Sequence, residues 1–264
     1  MEKITSLQNP KIKNLIKLQK ASERKLQNRI LVEGYRETKH AIRNSFEVEQ
    51  IYFCTEVAEK THIDDILTSN FNQVFEINPE CFNKIAYRET FDGIISVVVP
   101  KYQTLNDLKL RKNPLVLILE DVEKPGNIGA ILRTSEAANI DALILCNQQT
   151  DIFNPNVIRS SLGCVFSVPT VITTTDEVIE WTKKHKIKTY AAALTAKKFY
   201  QEFDYNSATA IVLGSEAFGL SDKMLELCDE QIKIPMLGVH DSLNVSVSAA
   251  ILTFEALRQR NFKN

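Results

Sequence analysis

Two kinds of hydrophobic pattern alternate along this chain: continuous apolar runs, and apolar residues separated by polar ones. Continuous apolar runs such as Leu115–Leu119 are typical of strands buried on both faces of a parallel sheet. Between the runs lie segments with apolar residues three or four positions apart, the spacing of helices that bury one face. This alternation predicts an α/β fold.

The first hundred residues predict one compact α/β unit. Helices are predicted at Pro10–Gln27, Gly34–Arg43, Glu56–Thr68 and Pro79–Ala86. Strands are predicted at Ile30–Val32, Val48–Phe53, Gln73–Ile77 and Gly93–Val99. Residues 100–114 are polar, lack a sustained period and are bounded by Pro100 and Pro114, which is typical of a linker. We therefore predict a smaller domain over residues 1–105 and a second domain over 106–264.

The second domain predicts a parallel sheet covered by helices. Strands are predicted at Leu115–Leu119, Ala142–Leu145, Val168–Ile172, Ile187–Ala193, Ala208–Leu213 and Gln231–Ile234. Helices are predicted at Asn127–Asn139, Pro155–Ser161, Asp176–His185, Ser221–Leu227 and Leu243–Arg260. In such a sheet, ligands bind beyond the carboxyl ends of the strands.

Composition and charge narrow the class of protein. No apolar run approaches the ~20 residues that a membrane helix needs, and the opening MEKITSLQNPKIK has no apolar signal segment. The five cysteines are spread singly, which argues against a disulfide framework and a zinc site. We expect a soluble cytoplasmic protein with no membrane and no metal partner.

Basic residues are concentrated at the start of the chain. Residues 1–46 hold eleven Lys and Arg against four Glu, whereas the whole chain has a net charge of −1. Such asymmetry is typical of a segment that binds a polyanion, although a lysine-rich solvated helix face gives the same count.

Three loops after predicted strands carry the candidate chemistry. They span residues 120–134, 213–221 and 234–250. The nucleotide-binding patterns G-x-G-x-x-G and G-x-x-x-x-G-K-[ST] and the nucleophile elbow G-x-S-x-G are all absent from the chain. Taken singly, Asn127 suits a helix N-cap, Arg133 a surface ion pair and His240 a loop position. Glu216, between two glycines at a strand end, needs a partner.

The three loops together resemble the motifs of a known family. N-I-G-A-I-L-R, G-S-E-A-F-G-L and I-P-M-L-G-x-x-x-S-L-N-V-S-V-S-A-A-I follow the order and spacing of the SpoU/TrmH family of the SPOUT superfamily. This resemblance covers about residues 115–260. The stretch Ile30-Leu31-Val32-Glu33-Gly34 and the helix after it resemble, less specifically, the ribosomal-protein-like RNA-binding domain of many members.

The resemblance implies a fold, a cofactor and a set of site residues. Members are S-adenosylmethionine-dependent RNA ribose 2′-O-methyltransferases with a trefoil-knotted α/β domain, and they act as homodimers. By position, Leu194, Gly214, Ile234 and Leu243 would bind the cofactor. The functional polar positions would be Asn127, Arg133, Glu216, Ser242 and Asn244.

The chemistry of methyl transfer gives each polar position a purpose. The enzyme must place a 2′-hydroxyl in line with the methyl group and assist the loss of its proton. Arg133 would act either as a base perturbed by bound RNA or as a stabiliser of the forming alkoxide. It would do so in the active site of the other subunit. Asn127 would orient the ribose or its phosphate, and Glu216 would hold Arg133, the loop, or both. Ser242 and Asn244 would organise the pocket and the dimer seam.

We expect the substrate to be ribosomal RNA, with transfer RNA as the alternative. A catalytically silent RNA-binding protein of this fold would carry a damaged motif, and all three motifs are intact. A small-molecule α/β enzyme would need a His or Cys nucleophile arrangement at a strand end, and the sequence offers none.

Overall fold

The chain divides into two compact units. The computed structural model describes residues 2–68, 71, 73–87, 92–148 and 150–263. The first unit comprises Met1–Lys101 together with Asp151–Ser167, and the second comprises Tyr102–Thr150 together with Val168–Asn264. Segment 151–167, which lies within the predicted second domain, is thus part of the first unit. The assignment of function to 1–105 and 106–264 stays a prediction.

The first unit is built around a five-stranded mixed sheet. Its elements to residue 101 are β1 (Glu2–Ile4), α1 (Pro10–Leu18), α2 (Ala21–Gln27), β2 (Ile30–Glu33), α3 (Tyr35–Arg43), β3 (Val48–Phe53), α4 (Lys60–Thr68), β4 (Val74–Ile77), α5 (Pro79–Ile85) and β5 (Ile94–Val98). The strand order is β1-β4-β3-β5-β2, with β5 antiparallel to both of its neighbours. Ile12, Leu15 and Leu18 of α1 are buried in its core.

Two features of this unit differ from the predicted elements. The helix predicted over Pro10–Gln27 is two helices, because Lys20 adopts an extended conformation (φ −87°, ψ 134°) between them. Strand β1 was not predicted, because three residues are too short to show a period of two.

The second unit is built around a six-stranded sheet in which all strands are parallel. Its first elements are β6 (Leu115–Glu120), α6 (Pro125–Ala137) and β7 (Ala142–Cys146). After α7 (Pro155–Ser160), which lies in the first unit, come β8 (Thr170–Thr173), α8 (Thr175–Lys184), β9 (Lys188–Ala192), β10 (Thr209–Leu213), α9 (Asp222–Leu227), β11 (Glu230–Ile232) and α10 (Val245–Gln259). The order β11-β9-β10-β6-β7-β8 confirms the predicted parallel sheet.

The strand order reverses beside β6. From β6 the chain moves outward to β7 and β8, and it returns on the other side to form β9, β10 and β11. Open α/β sheets bind ligands at such a reversal, beyond the carboxyl ends of the strands. The first and second motif loops follow β6 and its neighbour β10, so both emerge there.

Segment 151–167 packs within the first unit through charge and close backbone contact. Asp151 accepts a hydrogen bond at 2.8 Å from Arg24, whose side chain is 3% exposed and also donates to the carbonyls of Leu18 and Gln19. At Gly163 (φ +83°), a Cβ would lie 3.0 Å from the Cβ of His40. These contacts hold α7 in the first unit.

No helix in the described part of the chain has the length and apolar character needed to cross a membrane.

Candidate functional site

The first motif loop brings Asn127 into the site as part of a helix. Helix α6 begins at Pro125, and Lys124 takes the N-cap position. The prediction of Asn127 as the N-cap is therefore wrong, because proline at the first helical position starts the helix two residues earlier. The Asn127 side chain instead donates a short hydrogen bond to Oε1 of Glu216 and accepts one at 3.2 Å from Nδ2 of Asn244.

The third motif loop fixes the orientation of Asn244. Asn244 is the N-cap of α10, and its Oδ1 accepts from the backbone amide (2.9 Å) and hydroxyl (2.6 Å) of Ser246. Its amide nitrogen is thereby left to face Asn127. Asn127, Glu216 and Asn244, one from each motif loop, thus form a directed chain of hydrogen bonds, which we call the polar triad.

Glu216 has the partner that its position requires. Besides the Asn127 amide, the ammonium of Lys124 lies 3.9 Å from Oε1 of Glu216. Arg133, which the sequence offered as a partner, makes no ion pair with Glu216. The pairing of Lys124 with Glu216 joins the start of α6 to the second motif loop.

Arg133 and Ser242 lie outside the polar triad. Arg133 is exposed and makes no ion pair with any described residue, which contradicts its interpretation as a surface ion pair. It follows Asn127 by six residues, so it lies ~9 Å further along α6 and projects from a different side of the helix. Ser242 and His240 are exposed in the loop before α10.

Three of the four predicted cofactor residues lie just beyond the carboxyl ends of strands, and the fourth, Leu243, lies directly before the N-cap of α10. Gly214 directly follows β10, while Leu194 and Ile234 lie two residues beyond the ends of β9 and β11. Leu194 and Leu243 are 61% and 41% exposed, although both are large apolar side chains. Among the described residues, none forms a backbone hydrogen bond with residues 235–243. Exposed apolar side chains beside unused backbone amides and carbonyls fit a flat heterocycle with polar edges.

The second motif loop depends on glycine at position 214. Ser215 and Gly219 exchange two backbone hydrogen bonds (3.1 and 2.9 Å), which close the loop back on its start. A Cβ at position 214 would overlap the carbonyl group of Gly219 and the amide nitrogen of Leu220. Gly214 therefore permits the fold of the loop that presents Glu216.

A buried carboxylate holds the base of the same loops. Glu120, the last residue of β6, is 1% exposed and accepts from the amide of Ser221 (2.8 Å), its hydroxyl (2.9 Å) and the hydroxyl of Thr175 (2.8 Å). Ser221 is the N-cap of α9, and Thr175 is the first residue of α8. We call Glu120, Thr175 and Ser221 the buried carboxylate network.

The pKa values of two neighbouring ionisable groups, Asp121 and Cys146, are shifted in the direction that burial predicts. Burial, followed by the charge of Glu120, raises the pKa of Asp121. The pKa of the Cys146 thiol rises to about 12, chiefly through burial and then through the charges of Glu120 and Asp121. A thiol with this pKa is not a nucleophile near neutral pH.

Sequence reasoning missed three members of this site. Lys124 acts through a partner that is remote in sequence, so no local pattern marks it. Ser246 follows the N-cap Asn244 by two residues, so the capping position was its signal. Glu120 had a signal: an acidic residue ends the otherwise apolar run of β6, and such a residue needs buried hydrogen-bond donors.

Comparison with known proteins identifies the family. Residues 114–254 match the SpoU rRNA Methylase family, and residues 9–96 match the MRM3-like substrate binding domain. The chain belongs to the SpoU rRNA methylase family. Over 96% of this chain and 98% of the relative, it is 31% identical to the 23S rRNA (guanosine(2553)-2'-O)-methyltransferase RlmP of Bacillus subtilis.

Solved structures show the same architecture. One, described as an RNA 2'-O ribose methyltransferase, is 36% identical to this chain, covers 98% of it and 99% of its own chain, and has a TM-score of 0.88. An AdoMet-bound rRNA methyltransferase from Sinorhizobium meliloti is 25% identical, with 97% of both chains covered and a TM-score of 0.88. The resemblance to the SpoU/TrmH family is confirmed.

Proposed function

We propose that this chain transfers the methyl group of S-adenosylmethionine to a ribose 2′-hydroxyl of ribosomal RNA, as a homodimer in the cytoplasm. The observation that carries this proposal is the polar triad, in which one side chain from each of three separate motif loops meets the other two. A catalytically silent relative would have no need to keep all three in hydrogen-bonding contact.

The cofactor would be held by the loops after β9, β10 and β11. We expect the loops after β10 and β11, the second and third motif loops, to form a trefoil knot with α10. Leu194, Ile234 and Leu243 would supply apolar contacts, and the backbone of residues 235–243 would supply hydrogen bonds. S-adenosylmethionine, when bound, supplies a methyl group already activated by its sulfonium. The protein then has to position the hydroxyl and assist the loss of its proton.

The polar triad would orient the ribose. The Asn127 carbonyl accepts from Asn244 and one amide hydrogen goes to Glu216, so the second amide hydrogen is available to a ribose or phosphate oxygen. Lys124 and Glu216 fix the direction of that amide. Ser242, in the exposed loop before α10, would close the pocket when the subunits pair.

Arg133 would act in the site of the other subunit. Its exposed guanidinium, without an ion-pair partner in the described chain, projects from another side of α6 than the polar triad. Helix α10, which packs against α6, exposes Val247 (46%) and Phe254 (43%), with Ile251 partly exposed between them. The spacing i, i+4, i+7 makes one apolar stripe, which a second copy of the chain would cover. There Arg133 would stabilise the alkoxide that forms.

The first unit would bind the RNA backbone. Of the eleven cations in residues 1–46, Lys3, Lys11, Arg24, Arg29 and Lys39 are ion-paired within the described chain. The six exposed cations that make no described ion pair are Lys13, Lys17, Lys20, Lys25, Arg36 and Arg43. Four of the six lie on or between α1 and α2, where they would contact phosphates.

Methylation of unmodified ribosomal RNA tests the proposal. The full chain, incubated with ribosomal RNA and methyl-labelled S-adenosylmethionine, should label one nucleotide and protect its 3′ phosphodiester from alkaline hydrolysis. Label on a base, or label on transfer RNA alone, would reject the proposal. Asn127→Ala is the matched negative control, because it removes the central member of the polar triad.

Replacing charged residues tests RNA binding by the first unit better than deleting residues 1–105 does. Removing residues 1–105 would uncover Phe153, Val157 and Ile158, which are buried in the first unit. Replacing Lys13 and Lys17 with Gln should instead lower the salt dependence of RNA binding by about 1.5 in logarithmic slope, with Lys13→Arg and Lys17→Arg as controls. An unchanged slope would mean that these lysines only solvate α1.

A further inference from the structure

The second unit carries its own concentration of positive charge, away from the motif loops. Residues 183–188 contain Lys183, Lys184, Lys186 and Lys188 with no acidic residue, at the junction of α8 and β9. Residues 47–264 as a whole carry a net charge of −8. We call these four residues the lysine cluster.

The lysine cluster lies at the edge of the sheet opposite the polar triad. Its first three members precede β9 and Lys188 is the first residue of this strand, whereas the loop that contains Leu194 follows it. Because all six strands are parallel, the amino ends lie together and the motif loops lie at the other edge. Five residues of strand separate the two edges by ~17 Å. The cluster is therefore not part of the site already described.

A cleft with a volume of ≈ 310 Å³ opens at this edge, and Lys183, Lys186 and Lys188 contribute to its lining. The acidic groups beside it have partners within the chain. Asp229, which also lines the cleft, accepts from the amide and hydroxyl of Thr189, both at 2.8 Å. Glu230 pairs with Lys188 at 3.2 Å.

The remaining three lysines are available to a ligand. Lys183, Lys184 and Lys186 are exposed and make no ion pair with a described residue. The three ammonium groups outnumber Asp229, whose carboxylate lines the cleft and is bound by uncharged donors of Thr189, so the net positive charge favours the binding of an anion.

Stabilisation of the helix end accounts for only part of the cluster. Lys183 and Lys184 lie in the last turn of α8, where positive charge is favourable. Lys186 lies beyond the helix with φ +54°, and its amide donates to the carbonyl of Lys183 (3.1 Å). Glycine or asparagine adopts this conformation more readily. The Lys186 ammonium makes no described contact that would compensate.

We propose that the lysine cluster binds the phosphodiester backbone of the RNA substrate at a distance from the methylated nucleotide. This inference rests on the proposed function and adds a second contact region to it. Lysines present mobile point charges, which neutralise phosphates without selecting an orientation. That chemistry suits a polymer with many equivalent phosphates better than a single small phosphorylated molecule.

Binding of two RNAs of different length tests the proposal. The variant with Lys183, Lys184 and Lys186 replaced by Gln is compared with the variant that carries Arg at the same positions. On a ribosomal RNA fragment with flanking helices, the Gln variant should bind about tenfold more weakly, with a logarithmic salt slope lower by about 2. The Arg variant should keep both values. On a short oligonucleotide that carries only the target, the three proteins should bind equally.

A single glycine substitution separates binding from stability. Lys186→Gly should raise the thermal unfolding midpoint by ~2–4 °C, because glycine suits the left-handed conformation, and should still weaken binding of the long RNA. A more stable variant with unchanged RNA affinity would overturn the proposal.

Two further outcomes are decisive. If the Gln variant keeps the salt slope of the unmodified chain, or loses only its affinity for phosphatidylserine vesicles, the cluster does not bind RNA. If the unmodified chain binds no ribosomal RNA, the proposed function itself fails.

Discussion

Two carboxylates at the ends of neighbouring strands behave in opposite ways. Glu120 ends β6, is buried, and accepts from the amide and hydroxyl of Ser221 and the hydroxyl of Thr175. Glu216 lies in the loop after β10, is exposed, and contacts Asn127 and Lys124. The first ties β6 to the starts of α8 and α9, whereas the second faces the side where substrate would bind. Glu120 therefore belongs to a network that stabilises the loops, whereas Glu216 belongs to the residues that would act on RNA.

The largest effect on methyl transfer is expected at Arg133, which belongs neither to the polar triad nor to the buried carboxylate network. Arg133→Ala should slow methyl transfer by about 10²–10³-fold, because it removes a cation expected to stabilise the alkoxide. S-adenosylmethionine affinity should stay within a few-fold. Arg133→Lys should not restore the rate, because the planar fork of donors is lost. Single-turnover kinetics and calorimetry measure these two quantities.

A mixed dimer tests whether Arg133 acts across the subunit interface. An Arg133→Ala chain paired with a Gly214→Ala chain should recover one working site, although each homodimer is inactive. A mixed dimer that forms but stays inactive would place Arg133 in its own subunit's site. Normal methylation by the Arg133→Ala homodimer would leave the guanidinium no role in the reaction.

At Glu120 the expected effect is on folding. Glu120→Ala leaves the amide and hydroxyl of Ser221 and the hydroxyl of Thr175 without their buried acceptor, which should cost about 3–5 kcal/mol of unfolding free energy. Glu123→Ala is the matched control, since Glu123 is exposed nearby and should change stability by less than ~0.5 kcal/mol. Urea unfolding of both variants measures the difference. Equal stability would mean that the buried carboxylate network contributes nothing net.

Gly214 lies between the end of β10 and Glu216, so it affects the loop that presents Glu216. Gly214→Ala should open the loop and weaken S-adenosylmethionine binding, since the added Cβ overlaps the backbone of Gly219 and Leu220. Gly126→Ala, where an added Cβ would meet no atom within 4 Å beyond its chain neighbours and its own helix backbone, should leave affinity unchanged and stabilise α6 slightly. Calorimetry with the cofactor, beside thermal unfolding, separates the two effects. Undiminished affinity in Gly214→Ala would show that the loop adapts.

The sequence predicts much of the fold and of the candidate site, because the patterns that indicate them lie within short segments of the chain. Apolar runs mark the strands of the second unit, and the strand-end rule places the loops of Asn127 and Glu216 at one edge. The motif resemblance adds Asn244. The chain pattern could not show that Lys124 pairs with Glu216, because 92 residues separate them. Nor could it show that Phe153 and Val157 pack in the first unit, because apolar spacing does not reveal which core a helix covers.

The smallest effect is expected at Asp121, beside the buried carboxylate network. Burial, and then the charge of Glu120, raise the pKa of Asp121, so its charged form is disfavoured in the folded chain. The resulting destabilisation is present above the raised folded pKa and vanishes below the pKa of the unfolded chain. Asp121→Asn removes the charge and suits the residue's φ of +53°. At pH 7 the variant should unfold at a slightly higher temperature than the unmodified chain, and the gap should narrow as the pH falls through the Asp121 pKa. A gap that is constant with pH would assign the gain to backbone conformation alone, and a lower midpoint at pH 7 would mean that the Asp121 charge stabilises the fold.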